Sequence, residues 1–181
     1  MPSTEARPPA IREDLEGDGR RVALLVSRYN EGVCDLLLAS AKDGLVAHGV
    51  SEDSIEVHRV PGAFELSTAA SWAAESRAFD AVIGLGCVIK GETDHDVYIN
   101  HAVAHGFTSV AARTGVPVIL GVLTTNDLAQ AEARANPEFG GGKGWECALA
   151  ALEMMQLRDA LAVRREPDSP EPKSHSEGAG H

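Results

Sequence analysis

The sequence predicts an α/β fold: a three-layer αβα sandwich with helices on both faces of a four-stranded parallel sheet. Two observations carry that expectation. Four short runs are apolar almost throughout, as strands covered on both faces are. Between them lie longer stretches whose apolar residues recur at helical spacing, the alternation that builds parallel crossovers.

Taken in order, "RVALLVS" (Arg21–Ser27) reads as the first strand. "GVCDLLLASAKDGLVAHG" follows as a helix, with Val33, Leu36, Leu37, Ala41 and Leu45 on its apolar face and Gly49 as its stop. "SIEVHRV" (Ser54–Val60) is the second strand, and "AFELSTAASWAAESR" is a helix begun after Pro61 and Gly62. "AVIGLGCVI" (Ala81–Ile89) is the third strand, followed by a helix from "KGETDHDVYINHAVAHG". "VPVILGVLT" (Val116–Thr124) is the fourth, and "NDLAQAEARA" is a helix capped by Asn126. The joint "NPEFGGGKG" leads into a last long helix, "WECALAALEMMQLRDALAV". Four strands in 181 residues give a flavodoxin-like sandwich, with one core and no room for two comfortable domains.

Both ends read as tails. Residues 1–19 carry Pro8, Pro9 and mixed charges, and residues 165–181 combine Pro, Ser, Glu and Gly, a disordered composition. The single domain is expected at 20–164. No apolar signal core or membrane-length run occurs, and the three cysteines are widely spaced with no CxxC pair. Those features point to a reducing, cytoplasmic location. A net charge of −11 argues against nucleic-acid and membrane partners, so an anionic ligand needs a locally built positive potential.

Ligands of such sheets bind beyond the carboxyl ends of the strands. Here those ends are "SRYN", "VPGAFE", "CVIKGETDH" and "LTTND". His101 and His105 fall roughly 40° apart on a helix, opposite Ile99, Val103, Phe107 and Val110. They read as solvated outer-face residues, because an HxxxH pair without a third ligand or an HExxH glutamate makes a poor zinc site. His95 sits at the helix start beyond a strand end, where a proton-transfer role and a plain polar role are both open. "KGETDH" offers either helix N-terminal N–H groups for an anion or simple turn chemistry with Thr93 or Asp94 as cap. Tyr29 can stack on a flat ring or cover the core rim. Glu65 can accept from a polyol or amine, or be a solvated first-turn residue. Arg134 and Lys143 are either anion-binding cations or surface charges. These residues describe a site for a small phosphorylated molecule.

The motifs "SRYN", "VPGAFEL", "GLGCVIKGETDH", "GVPVILGVLTTND", "QAEARA" and "GKGWECALAALEM" occur in order and at matching spacing. From about Arg21 to Leu161 the chain thereby resembles the 6,7-dimethyl-8-ribityllumazine synthase family. The resemblance implies a transferase of riboflavin biosynthesis. It condenses 5-amino-6-(D-ribitylamino)uracil with 3,4-dihydroxy-2-butanone 4-phosphate, releasing phosphate and water without metal or organic cofactor. Carried over by position, Tyr29 stacks on the pyrimidine, and Ala63, Phe64 and Glu65 bind the ribityl chain. Cys87, Val88 and Ile89 hold the pyrimidine through backbone groups, and Glu92 and Thr93 present N–H groups to phosphate. His95 transfers protons, Leu120 walls the ring pocket, Arg134 is the main phosphate cation and Lys143 the second.

The chain departs from the family pattern at Leu120, often aromatic there, at Glu92, often small, and at Asp96-Val97 after the histidine. Asp94 or Asp96 is then the carboxylate available to orient His95. The resemblance also implies a homopentamer whose neighbouring subunit completes each site; riboflavin synthase is a candidate further partner, whose association the sequence leaves open. Pro8, Pro9 and the long joint with Pro137 and three glycines favour a pentamer or a pair of pentamers over a sixty-subunit shell. Two other readings of the same pocket are a riboflavin-synthase-like dismutation and a non-catalytic lumazine or flavin carrier.

Overall fold

The computed structural model describes residues 14–138 and 142–163. In chain order the elements are β1 (Val22–Ser27), α1 (Glu31–Ala47), β2 (Ile55–Val60), α2 (Leu66–Glu75) and β3 (Ala81–Ile89). They continue with α3 (His95–Thr114), β4 (Val118–Thr125), α4 (Leu128–Ala135) and α5 (Gly142–Val163). The sheet is parallel throughout in the order β2-β1-β3-β4. The α/β sandwich expected from the sequence is therefore the fold observed.

Two cores sit on opposite sides of the sheet. Leu24, Val26, Ile83 and Leu85 meet Leu37, Leu45, Leu152 and Met155 on the side of α1 and α5. Leu25 and Val82 meet Leu66, Ala70, Val103 and Phe107 on the side of α2 and α3. The period-two alternation of β1 supplies both cores at once, which is why that strand is buried at every position. The edge strands differ from the expectation of cover on both faces. β2 is open from Val57 to Arg59, and β4 is buried at only three of its eight positions. An edge strand has a sheet neighbour on one side only, and within one chain its outer flank lacks a covering element.

Local chemistry sets the helix ends. Gly49, at φ 93°, closes α1: Val50 N–H bonds Leu45 C=O at 3.1 Å and Gly49 N–H bonds Val46 C=O at 3.0 Å. The cap of α4 is Asp127, not the expected Asn126. Asp127 has the extended backbone of a cap, and its carboxylate accepts Gln130 N–H at 2.8 Å. Gln130 Oε1 in turn accepts Asn126 N–H at 3.1 Å, a reciprocal arrangement close to a capping box. Helix α2 begins at Leu66, after a turn through residues 61–65, and α5 begins at Gly142, ahead of the expected Trp145.

Most of the expected tails, residues 1–13 with Pro8 and Pro9 and residues 164–181, lie outside the described residues, as do 139–141 of the glycine joint. Residues 14–19, expected in the N-terminal arm, pack on the domain instead. Leu15 is buried in the α1–α5 core, Gly17 N–H bonds His48 C=O at 2.7 Å, and Gln156 Nε2 donates to Asp14 C=O. One leucine among charges gives no periodic signal, so its burial is not legible in the sequence pattern.

Candidate active site

An open cleft of about 490 Å3 lies where β1, β2 and β3 end. Tyr29, Asn30, Gly62, Ala63, Phe64 and Glu65 line its near side, and Cys87, Val88 and Ile89 lie along β3. Gly91, Thr93, His95, Asp96 and Ile99, from the start of α3, complete the wall. The strand order reverses between β1 and β3, and the crevice outside such a reversal is the usual ligand position in parallel sheets.

Each residue arrives there for a local reason. Tyr29 follows the last residue pairs of β1. Its N–H bonds Ser27 Oγ at 3.1 Å and its C=O accepts Cys34 S–H at 3.3 Å. The turn is thereby fixed while Tyr29 stays 72 % exposed. Phe64, 58 % exposed, and Glu65 stand on the turn before α2. A Cβ on Gly62 would come within 3.1 Å of Glu65 Oε2, so the carboxylate lies back over that glycine. Cys87 and Val88 are buried side chains whose backbone borders the cleft.

Helix α3 has Asp94 as its cap residue, without a side-chain cap bond. Its first turn offers N–H groups that no helical carbonyl can satisfy, together with the positive end of the helix dipole. Thr93 and Gly91 border the cleft there, whereas Glu92 is exposed and does not line it. His95 is exposed and, among the described residues, its side chain makes no hydrogen bond; neither Asp94 nor Asp96 orients the ring. His101 and His105 are exposed on α3, opposite the buried Val103, Phe107 and Val110. Among the described residues no group of three or more His, Cys, Asp or Glu is placed to hold a metal ion.

The cysteines are thiols rather than nucleophiles. Burial, with the neighbouring Cys87 as the next cause, pushes Cys34 up to about 12, and burial also raises Cys87. Burial likewise takes Cys147 to about 11.

Besides Glu92, three more candidate residues lie outside the cleft. Arg134 and Lys143 line a second cleft, about 440 Å3, with Val122, Leu123, Thr124 and Glu146. Lys143 is partly buried, which opposes its charge. The Glu146 carboxylate, 2.8 Å from Nζ, more than offsets this and leaves its pKa raised. Leu120 lines neither cleft. It shares the α2–α3 face of β4 with Val118 and Val122 and is 44 % exposed. One chain therefore gathers Tyr29, Ala63, Phe64, Glu65, Cys87, Val88, Ile89, Thr93 and His95 around one cleft, leaves the Glu92 side chain outside it, and sets Leu120, Arg134 and Lys143 apart. Asn30, Gly62 and Ile99 also line the first cleft and were not singled out from the sequence. Only the position of Asn30 in "SRYN" hinted at it.

The polar groups converge on the carboxyl edge of a parallel sheet, so fold and cleft define an α/β protein with a small-ligand cleft at its strand ends. The profile of the family described as 6,7-dimethyl-8-ribityllumazine synthase matches residues 19–159. Proteins of that name from Xanthomonas oryzae pv. oryzae (strain PXO99A) and Xanthomonas euvesicatoria pv. vesicatoria (strain 85-10) are each 45 % identical over 148 residues. Those alignments cover 82 % of this chain and 96 % of each relative. The chain belongs to the 6,7-dimethyl-8-ribityllumazine synthase family.

Proposed function

We propose that the chain condenses 5-amino-6-(D-ribitylamino)uracil with 3,4-dihydroxy-2-butanone 4-phosphate, in a site completed by a neighbouring subunit. The observation that carries this reading is the convergence of an aromatic ring, a carboxylate, open strand-end backbone and a histidine on one cleft.

Tyr29 stacks on the pyrimidine, whose polar edges bond backbone groups of Cys87–Ile89. Ala63, Phe64 and Glu65 take the ribityl chain. The 5-amino nitrogen attacks the ketone carbon, water leaves, and a Schiff base forms. Elimination of phosphate and attack by the ribityl-bearing nitrogen then close the second ring with loss of water. His95 moves the protons of these steps, a role worth about 10²–10⁴ in rate. The leaving phosphate meets the N-terminus of α3, with Glu92 and Thr93 contributing N–H groups, and a cation.

Arg134 supplies that cation and Lys143 a second, from the adjacent chain, which also contributes Leu120 to the ring pocket. Two features support such a ring of subunits. The cations occupy a cleft separate from His95, and large apolar side chains such as Trp72, at 71 %, stand exposed. The ring is a pentamer or a pair of pentamers in the cytoplasm, and a riboflavin synthase consumes the product.

Incubation with both substrates tests the reaction. Lumazine absorbance and inorganic phosphate should rise together. A carrier yields neither, and a dismutase consumes added lumazine.

A further inference from the structure

The Asn30 side chain does something its position does not require. Asn30 precedes α1, yet its side chain caps no N–H of that helix. Its backbone sits at φ 56°, ψ 48°, a left-handed conformation it shares, among described non-glycine residues, only with Arg77 in its positive φ. Asparagine tolerates that region better than other side chains. With the backbone so turned, Asn30 C=O accepts Val33 and Cys34 N–H, both at 3.1 Å, and the amide is left to reach across the sheet. Asn30 Nδ2 donates to Cys87 C=O at 2.9 Å, a contact between residues 57 apart in sequence.

Strand pairing explains why this bond is needed. The pairing of β3 with β4 continues to Ile89↔Thr125. The pairing of β3 with β1 stops at Val26↔Leu85, because β1 gives way to the Tyr29–Asn30 turn. Beyond Leu85 the β1 side of β3 has lost its ladder, at the place where the strand order reverses and the cleft opens. The Asn30 amide supplies one more cross-link there, using a side chain where the ladder would use backbone.

We infer that Asn30 is a positioning residue for the pyrimidine half of the site. Its amide fixes the Cys87 carbonyl and, through the same turn, the distance between the Tyr29 ring and the β3 backbone. The inference rests on the pyrimidine occupying the Tyr29–His95 cleft. Among the described residues neither the His95 side chain nor Arg134 is hydrogen-bonded to Asn30 or Cys87, so the phosphate half of the reaction should be left alone.

Asn30→Gly retains the positive φ without strain and removes only the tether. Asn30→Asp keeps the size and conformational tolerance but replaces the donor with an acceptor facing a carbonyl. Both variants, with wild type, are compared in the assembled enzyme by KM for each substrate, by equilibrium titration with 5-amino-6-(D-ribitylamino)uracil, and by thermal unfolding. A neutral hydrogen bond of ordinary strength predicts a rise of about 3–10-fold in the pyrimidine KM and in its dissociation constant. The KM for the butanone phosphate should stay within about twofold. Equal rises for both substrates, or a lowered melting temperature with pyrimidine binding unchanged, would overturn the positioning role. If either variant does not fold, the other carries the comparison. A wild type that binds the pyrimidine without turnover refutes the proposed reaction but leaves the titration decisive for Asn30. A wild type that binds no pyrimidine overturns both.

Discussion

Arg134 and Lys143 line one cleft, but only Lys143 is held by a carboxylate, with Glu146 Oε2 2.8 Å from its Nζ. Among the described residues Arg134 has no ion-pair partner. In the proposed reaction an incoming phosphate would therefore meet one unengaged guanidinium and one ammonium that must be drawn from Glu146. Arg134→Ala should lose a charge-assisted contact of roughly 1.5–3 kcal/mol, about ten- to a hundredfold in affinity for the butanone phosphate. Lys143→Ala should cost less. Separate titrations of the two substrates check this, and an equal loss for the pyrimidine would remove the phosphate role from Arg134.

The histidines should separate sharply. His95 borders the cleft, whereas His101 and His105 stand exposed on α3 outside it. His95→Ala is expected to slow turnover by about 10²-fold, with His101→Ala and His105→Ala near wild type. Zinc chelators should leave the rate unchanged. A His101 variant as impaired as the His95 variant, or inhibition by chelators, would point to metal chemistry on that helix.

What could be read in advance follows from the range of the forces involved. The strands and helices were legible because β1 and β3 are apolar almost throughout and α1 carries its apolar residues at helical spacing. Gly49 was legible as a stop because its role is local. Asp127 was not separable from Asn126, since both side chains cap well and only the backbone φ and ψ decide between them. The tether from Asn30 to Cys87 was hidden for a different reason: it depends on a left-handed turn and on a partner brought near by the sheet. The positions of Tyr29, Glu65 and His95 at one edge followed from strand–helix alternation. The separation of Arg134 from His95 within one chain did not follow from composition or periodicity; it was anticipated only through the family resemblance.

The joint between α1 and α5 is predicted to be the most substitution-sensitive contact outside the cleft. A Cβ on Gly144 would stand 2.1 Å from Leu37 C=O and 2.8 Å from Ala41 N, both backbone atoms that cannot step aside singly. One turn away, Ser40 Oγ accepts Trp145 N–H at 2.8 Å, satisfying a first-turn donor of α5. Ser40→Ala should destabilise by about 1–3 kcal/mol through the unsatisfied N–H. Gly144→Ala should cost more, because the two helices must separate. Urea unfolding of both variants measures this, and a Gly144→Ala protein as stable as wild type would contradict the close approach.

The thiols provide a test by pH. Burial raises Cys34 from 9.0 to about 12 and Cys147 from 9.0 to about 11, so the folded state favours the protonated form of each. A raised folded pKa stabilises fully below the unfolded value, and that contribution is lost as pH rises toward the folded one. The protein should hold its stability through pH 8 and lose it between about 9 and 12. At pH 8 an aromatic disulfide reagent should label no cysteine of the native protein and all three after denaturation. Rapid native labelling at Cys34 would show that its burial is transient.

His95 and Arg134 should act in trans. They line different clefts of one chain, and the proposed ring joins the His95 cleft of one subunit to the Arg134 cleft of the next. Each variant alone, His95→Ala or Arg134→Ala, then impairs every site of its own oligomer. Unfolding the two together in equal amounts and refolding them yields random rings. About one interface in four then places an intact His95 against an intact Arg134 in the productive order. Activity should recover to roughly a quarter of wild type, above the mean of the two variants, once their residual rates are subtracted. Tagged chains recovered in one particle establish that mixed rings formed. Mixed rings whose activity stays at the mean of the two variants would place both residues in the site of a single chain.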